Sequence, residues 1–163
     1  MKPRFVLAVA AAATLIGGHA VADPVSVEVL LTPQEQMKFE IADGSNHFVL
    51  AVRREGEAEG TGVFAGASVT EFGWHDVNPP ISGDPRGYLQ ITTDNGDVAV
   101  LHWTVKAVFI KGEDGPTLFD KGVWELVSGT GQFENKRGVG SLVIVPRGGP
   151  NLFILEGDVG DKA

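Results

Sequence analysis

Cysteine is absent from this chain of 163 residues. Its absence excludes disulfide bonds, thiolate metal ligands, a cysteine nucleophile and a lipidated N-terminal cysteine. A domain of this length can bury a sufficient hydrophobic core without disulfides. The fold must therefore be stabilised by packing and hydrogen bonds.

Positive charge is scarce. The chain has 13 lysines and arginines against 21 aspartates and glutamates, which gives a net charge of −8. An acidic surface repels phosphate backbones and anionic lipid headgroups, so nucleic acid and membrane surfaces are disfavoured as partners. A neutral or cationic small molecule stays compatible with this charge.

The motifs of common catalytic and cofactor sites are also missing. His47, His75 and His102 form neither an H-x-x-x-H nor an H-x-H pair, so no metal site is predicted. The chain has no G-x-S-x-G elbow, no phosphate-binding loop and no dinucleotide fingerprint in a strand–helix context. An acidic run at residues 55–59 lacks the spacing of a calcium loop and is typical of a solvated strand edge. We therefore predict no metal and no cofactor.

The N-terminus has the three parts of a secretory signal peptide. A basic start at residues 1–4 precedes an apolar run over residues 5–16, and Ala20-Val21-Ala22 matches a cleavage site. The run is shorter than the roughly 20 residues that a membrane-spanning helix needs. We expect a signal peptide over residues 1–22, a single domain over residues 23–163, a periplasmic or secreted location and no membrane anchor.

Glycine is abundant, with 22 residues spaced closely enough to leave little room for an ordinary helix. The segments between the glycines are rich in β-branched and aromatic residues or alternate in polarity, as strands do. Asn95-Gly96 is a strong signal for a tight hairpin. The predicted strands are residues 25–29, 37–41, 48–54, 62–76, 88–93, 97–111, 117–128, 138–145 and 152–156. About eight strands at regular spacing predict an all-β fold, either a single closed antiparallel β-barrel or a sandwich.

The longest predicted strand indicates which face points inward. One face of residues 97–111 is entirely apolar and the other is mixed, so the apolar set is predicted to fill the barrel interior. The next strand repeats the pattern with Trp124 and Leu126 inward. The predicted inward residues of the long strand are Ala99, Leu101, Trp103, Val105, Ala107 and Phe109.

One segment carries a family resemblance. Residues 122–133 end in Gly129-Thr130-Gly131-Gln132-Phe133 and are followed by Gly138-Val139-Gly140. This pattern resembles the dirigent and allene-oxide-cyclase-like barrels, in which a strand ends in a G-T-G-x-F turn. The resemblance implies a calycin-like barrel of eight strands with an apolar lumen open at one end, often assembled as a trimer. It also implies binding of small hydrophobic or phenolic molecules, and in some members a cofactor-independent cyclisation. The acidic and tyrosine catalytic positions of that family do not map onto this sequence.

Candidate site residues cluster where one strand is predicted to end. Trp74, His75 and Asp76 precede a proline-containing loop, and Arg86 and Tyr88 follow it on the incoming strand. Either His75 or Asp76 could transfer a proton, although neighbours on a strand point to opposite faces. Arginine can hold a carboxylate or phenolate, and tyrosine can donate to a carbonyl. The alternative is that Trp74 plugs the barrel, Asp76 caps the turn and the loop is ordinary.

Two functions are compatible with these residues. In the first, the lumen binds a small hydrophobic or phenolic molecule and steers a cyclisation or isomerisation. Its catalytic candidates are Asp76, Tyr88 and His75, and its ligand-binding candidates are Trp74, Arg86, Trp103 and Trp124. In the second, the barrel is plugged by its three tryptophans and the outer surface makes an oligomer or partner interface. Cavity volume and buried polar residues on the inward face would discriminate between them.

Overall fold

A computed structural model describes residues 22–163, so all but the last residue of the predicted signal peptide lies outside the described residues. Strands account for most of the described chain. They are β1 (Asp23–Glu40), β2 (Phe48–Thr61), β3 (Ser68–Asn78), β4 (Ser82–Gly83), β5 (Arg86–Thr92), β6 (Val98–Gly112), β7 (Gly115–Gly129), β8 (Lys136–Pro146) and β9 (Asn151–Asp161). A 3-10 turn at Gly131–Phe133 connects β7 to β8. Within the described part, no helix has the length and apolar character needed to cross a bilayer.

The strands form one closed antiparallel barrel. Each long strand pairs with the next along the chain, and β9 pairs with β1 to complete the circle. The two-residue strand β4 is the extra element, inserted between β3 and β6 at one rim. The prediction of an all-β barrel of about eight strands is confirmed.

Strand β1 differs from the prediction of two separate strands. It runs without interruption from Asp23 to Glu40 and so joins the predicted strands 25–29 and 37–41, with a register shift between Pro33 and Glu35. Proline has no N–H for the ladder and is tolerated at such irregularities. Because side chains alternate along a strand, the shift changes which residues face out. Beyond it, Met37 is paired with Ala51 on the outer face.

A second difference concerns the start of β3. The prediction placed residues 62–67 in the strand, whereas they form a turn that begins with Gly62 at a φ of 93°. A positive φ is open to glycine and strained for most other residues. The turn folds Phe64 into the barrel interior, where it is fully buried.

The core lies inside the barrel, as the alternation predicts. Trp103 and Trp124 are fully buried, and the other predicted inward residues are buried except Phe109, which is half-buried at a rim. Phe64 and Phe133 pack together at 5.8 Å between ring centroids, and Phe64 meets the edge of Trp124 at 5.9 Å. These two phenylalanines close the end that carries the connections 62–67, 93–97 and 130–135, which we call the packed end. We call the opposite end, with the connections 41–47, 79–85, 113–114 and 147–150, the hairpin end.

Three glycines in β8 and β9 make space for the indole of Trp124. A Cβ atom at Gly140 would lie 2.5 Å from Trp124 Nε1, and one at Gly157 would lie 2.6 Å from its Cζ2. A Cβ at Gly138 would lie 3.2 Å from Cζ3. The distances at Gly140 and Gly157 are shorter than real Cβ atoms adopt, and the distance at Gly138 is tighter than most of their contacts, so these strands lack side chains where the ring lies.

We expect Gly140→Ala to destabilise the fold by about 1–3 kcal/mol, because the added methyl overpacks the wall against Trp124. Urea unfolding followed by fluorescence measures the change. Ser141→Ala is the matched control, since Ser141 is the exposed neighbour on the same strand. Equal unfolding midpoints for the two variants would contradict the close packing of Trp124 against Gly140.

Candidate functional site

Strand β3 divides the predicted site residues between the two faces of the sheet. The side chain of His75 is buried inside the barrel at 6% exposure, whereas Trp74 is 42% exposed on the outer face. Tyr88 and Arg86 alternate with inward residues of β5 and are also exposed. The predicted residues therefore do not form one site, because those on the outer face cannot reach a ligand in the lumen.

Trp103 and Trp124 lie in the lumen, but both are part of its packing. The ring of Trp103 meets Phe153 edge-on at a centroid distance of 5.5 Å and approaches His75 at 5.8 Å. The Nε1 atoms of both indoles have no hydrogen-bond partner among residues 22–163. The expectation that Trp74 also plugs the barrel is wrong, since that side chain points outward.

Asp76 joins two parts of the outer surface. His47 Nε2 donates to its carboxylate at 2.6 Å, which ties the connection between β1 and β2 to the end of β3. The backbone carbonyl of Asp76 accepts from the N–H of Asp84 at 2.9 Å. Asp76 therefore lies on the opposite side of the sheet from His75. Its hydrogen bonds with His47 and Asp84 hold neighbouring segments of the chain together.

A buried polar cluster occupies the lumen toward the hairpin end. It consists of Arg54 from β2, Glu71 and His75 from β3, and Asp120 from β7, each 6% exposed or less. Arg54 Nη1 donates to Glu71 Oε2 at 2.6 Å. His75 Nε2 lies 3.2 Å from both Glu71 Oε1 and Arg54 Nη1. Sequence reasoning identified only His75 of these four residues.

Gly73 makes space for this cluster on the inward face of β3. A Cβ atom there would lie 2.8 Å from His75 Nε2 and would also overlap the carboxylate of Glu71. The alternation of β3 places Val69, Glu71, Gly73 and His75 on one face. A glycine between two inward ionisable residues is the local signal that could have revealed the cluster.

The cluster is incompletely paired. Arg54 Nε and Asp120 Oδ1 have no hydrogen-bond partner within the described chain. Burial raises the pKa of the Asp120 carboxyl from 3.8 to about 6, and the positive charge that His75 can carry opposes this rise. Buried polar groups are usually paired, and unpaired ones with shifted pKa values are concentrated at functional sites.

A groove of about 740 Å³ lies on the outer face of the barrel. The strand register sets Met37, Ala51, Trp74 and Arg86 side by side across four strands. A parallel row is formed by Arg53, Phe72, Tyr88 and His102. Sequence reasoning singled out Trp74, Arg86 and Tyr88 from this set, but assigned them to the barrel mouth.

The charges in the groove are unequally partnered. Arg53 is ion-paired with Glu35 at 3.3 Å and also with Glu55. Arg86 is exposed, and no ion pair to it occurs within residues 22–163. The rings of Tyr88 and His102 lie 5.1 Å apart. The groove thus combines exposed aromatic faces with one unpaired cation.

Two smaller pockets, of about 350 and 300 Å³, lie on the outer face beside Lys106 and at the packed end beside Asn95. In the described part of the chain, no group of three or more histidine and acidic side chains is arranged to hold a metal ion.

The fold and the lumen cluster define a closed antiparallel β-barrel protein with ionisable residues inside it. No family model and no curated protein sequence matches the chain. The chain is similar in structure to a β-barrel-like protein from Acinetobacter baumannii, at a TM-score of 0.59 and 10% identity over 89% of this chain and 99% of that one.

Two proteins of unknown function show the same likeness. One from Rhodopseudomonas palustris has a TM-score of 0.53 and 12% identity over 86% of this chain and 99% of its own. One from Clostridium acetobutylicum has a TM-score of 0.53 and 10% identity over 85% of this chain and 99% of its own. At these identities the comparisons establish the barrel fold.

We expect Glu71→Gln to destabilise the protein by about 3–5 kcal/mol, because it leaves the Arg54 charge buried without its counter-charge. Combining Glu71→Leu with Arg54→Met should recover most of that loss, since no charge then remains to be paired. Glu55→Gln breaks the exposed pair with Arg53 and should change stability by less than about 1 kcal/mol. Urea unfolding of the variants tests the ranking, and a double variant no better than Glu71→Gln would contradict it.

The raised pKa of Asp120 predicts a pH-dependent stability. The folded carboxyl holds its proton to a higher pH than the unfolded one, so stability falls as pH rises from about 4 to about 6. The loss attributable to this group is on the order of 2–3 kcal/mol. Asp120→Asn should therefore match the wild type at low pH and exceed it near neutral pH. The two proteins differ only at residue 120, so the difference between their stability curves isolates the contribution of this carboxyl.

Proposed function

We propose that the barrel binds a small hydrophobic or phenolic molecule at the hairpin end of its lumen. Arg54, Glu71, His75 and Asp120 would contact the polar group of that molecule, and apolar lumen residues would contact the rest. The observation that carries this proposal is the buried and incompletely paired cluster inside an otherwise apolar barrel.

Energetics support a binding role for the cluster. A buried polar group without a partner costs roughly 1–3 kcal/mol, and a buried ion pair is often no more stabilising than apolar residues of the same volume. A barrel selected for stability alone would place apolar side chains at these inward positions. Ligand sites typically have mostly apolar walls with a few converging polar groups, which is the composition found here.

The same groups support proton transfer without a cofactor. A carboxyl with a pKa of about 6 can both accept and return a proton near neutral pH. In the proposed reaction Asp120 Oδ1 accepts a proton from the ligand and returns it to another position, so an isomerisation or cyclisation conserves all atoms. The Arg54 guanidinium stabilises the negative charge that develops on the ligand oxygen. Asp76 and Tyr88 take no part, because they lie on the outer face.

Membership of this chain in the family of dirigent and allene-oxide-cyclase-like barrels is part of the same proposal. It is supported by the eight-stranded closed barrel and by the G-T-G-x-F segment, whose Phe133 is buried at the packed end. We also propose that the protein is periplasmic or secreted. We further propose that it forms a homo-oligomer, such as the trimer that the resemblance implies.

A second function is supported by a different observation. The middle of the lumen is filled by fully buried Trp103, Trp124 and Phe153, whereas the outer groove is open. A non-catalytic protein with a packed barrel would use its outer surface for binding. The two functions place the ligand on opposite sides of the sheet and are therefore separable by mutation.

Native mass spectrometry with a panel of small phenols and hydrophobic molecules tests the first function. We expect one molecule bound per chain, and a loss of affinity of about tenfold or more in Asp120→Asn and in His75→Ala. Asp84→Asn alters an exposed carboxylate and serves as the matched control. Unchanged binding in both lumen variants, with each shown to be folded, would reject the lumen as the site.

A further inference from the structure

We infer that the groove on the outer face is a second binding site, specific for a planar aromatic carboxylate. Trp74, Phe72 and Tyr88 would contact the rings of that molecule and Arg86 would bind its carboxylate. This site is independent of the proposed lumen function, because its side chains leave the sheet on the opposite face from His75 and Asp120.

The aromatic residues of the groove are exposed. Phe72 is 51% exposed, Trp74 42% and Tyr88 49%. Single exposed apolar residues are normal on soluble proteins, but a contiguous group indicates a contact surface. The register keeps this group together, since Phe72 is directly paired with Tyr88 and Trp74 lies two residues along the same strand.

The shape of the groove favours a flat ligand. Ala51 lies between Met37 and Trp74 in the row across the strands, so a small side chain separates two large ones. The volume of the groove, about 740 Å³, falls within the range of pockets that hold small molecules. Aromatic rings stack on one another in offset or edge-on geometry, which a molecule with one or two fused rings can adopt here.

The charge of the groove favours an anion. Arg86 is directly paired across the strands with Trp74, so its guanidinium can bind a carboxylate held beside the indole. The groove's other arginine, Arg53, is already ion-paired with Glu35 and Glu55. The chain as a whole carries a net charge of −8. An anion would be repelled from most of this surface and attracted at Arg86, whereas a cationic ligand would meet the unpaired arginine.

The test uses 2-naphthoate and its uncharged counterpart 2-naphthamide, titrated into the full protein by calorimetry and by tryptophan fluorescence. We expect naphthoate to bind more tightly than naphthamide. Arg86→Gln should weaken naphthoate about tenfold and leave naphthamide unchanged, because it removes a charge-assisted bond and keeps the aromatic surface. Trp74→Ala should weaken both. Lys111→Gln removes an exposed charge outside the groove and should change neither.

The alternative outcomes are distinct. Arg86→Gln binding naphthoate as tightly as the wild type would overturn the inference, as would an absence of naphthoate binding. Loss of naphthoate binding in Asp120→Asn but not in Arg86→Gln would place that ligand in the lumen, overturning this site while supporting the lumen function. Self-association that Trp74→Ala abolishes, without naphthoate binding, would assign the surface to a second copy of the chain.

Discussion

Two tryptophan rings occupy the middle of the barrel, and their volume restricts several residues on the neighbouring strands to small ones. Trp124 lies against the bare backbone of Gly138, Gly140 and Gly157, and a Cβ at Gly87 would lie 3.0 Å from Trp103. A closed barrel has a limited interior, and interiors pack as densely as crystals. Large rings from β6 and β7 therefore require small residues on the strands they face. Gly87, Gly138, Gly140 and Gly157 meet that requirement, while other glycines supply the positive φ angles of turns.

The filled middle also determines where polar groups can lie inside. Phe64 and Phe133 close the packed end, so the buried charges are confined to the other half of the lumen. There the Arg54–Glu71 pair is shielded from water, which strengthens their attraction and also makes any unpaired atom expensive. Asp120 makes no ion pair within residues 22–163, and burial raises the pKa of its carboxyl. The aromatic packing thus confines the polar cluster to one half of the lumen, where burial changes the chemistry of its ionisable groups.

The sequence predicts the barrel well because alternation and turn signals are local. Residues 97–111 gave the inward face of β6, and Asn95-Gly96 lies in the connection to it, as expected. The polar cluster was missed because its members come from three strands whose neighbours in space are set by register. Every second residue back from Trp124 is Gly122 and then Asp120, so the same alternation predicts that Asp120 also faces inward. The assignment of Trp74, Arg86 and Tyr88 to a mouth failed because these side chains leave β3 and β5 on the outer face of the barrel, opposite the buried residues with which they alternate.

The part of β1 around and beyond Pro33 affects the closure of the sheet. Strand β9 pairs with β1 only as far as Leu31, so residues 32–40 continue beside β2 alone. A closed sheet has no free edge, but residues 32–40 of β1 have a strand partner on one side only and so form an edge. Pro33 removes one donor, and Glu35, Lys38 and Glu40 place charges along the same stretch. Such charges discourage edge-to-edge pairing, so we expect these few residues outside the core to limit aggregation of the protein.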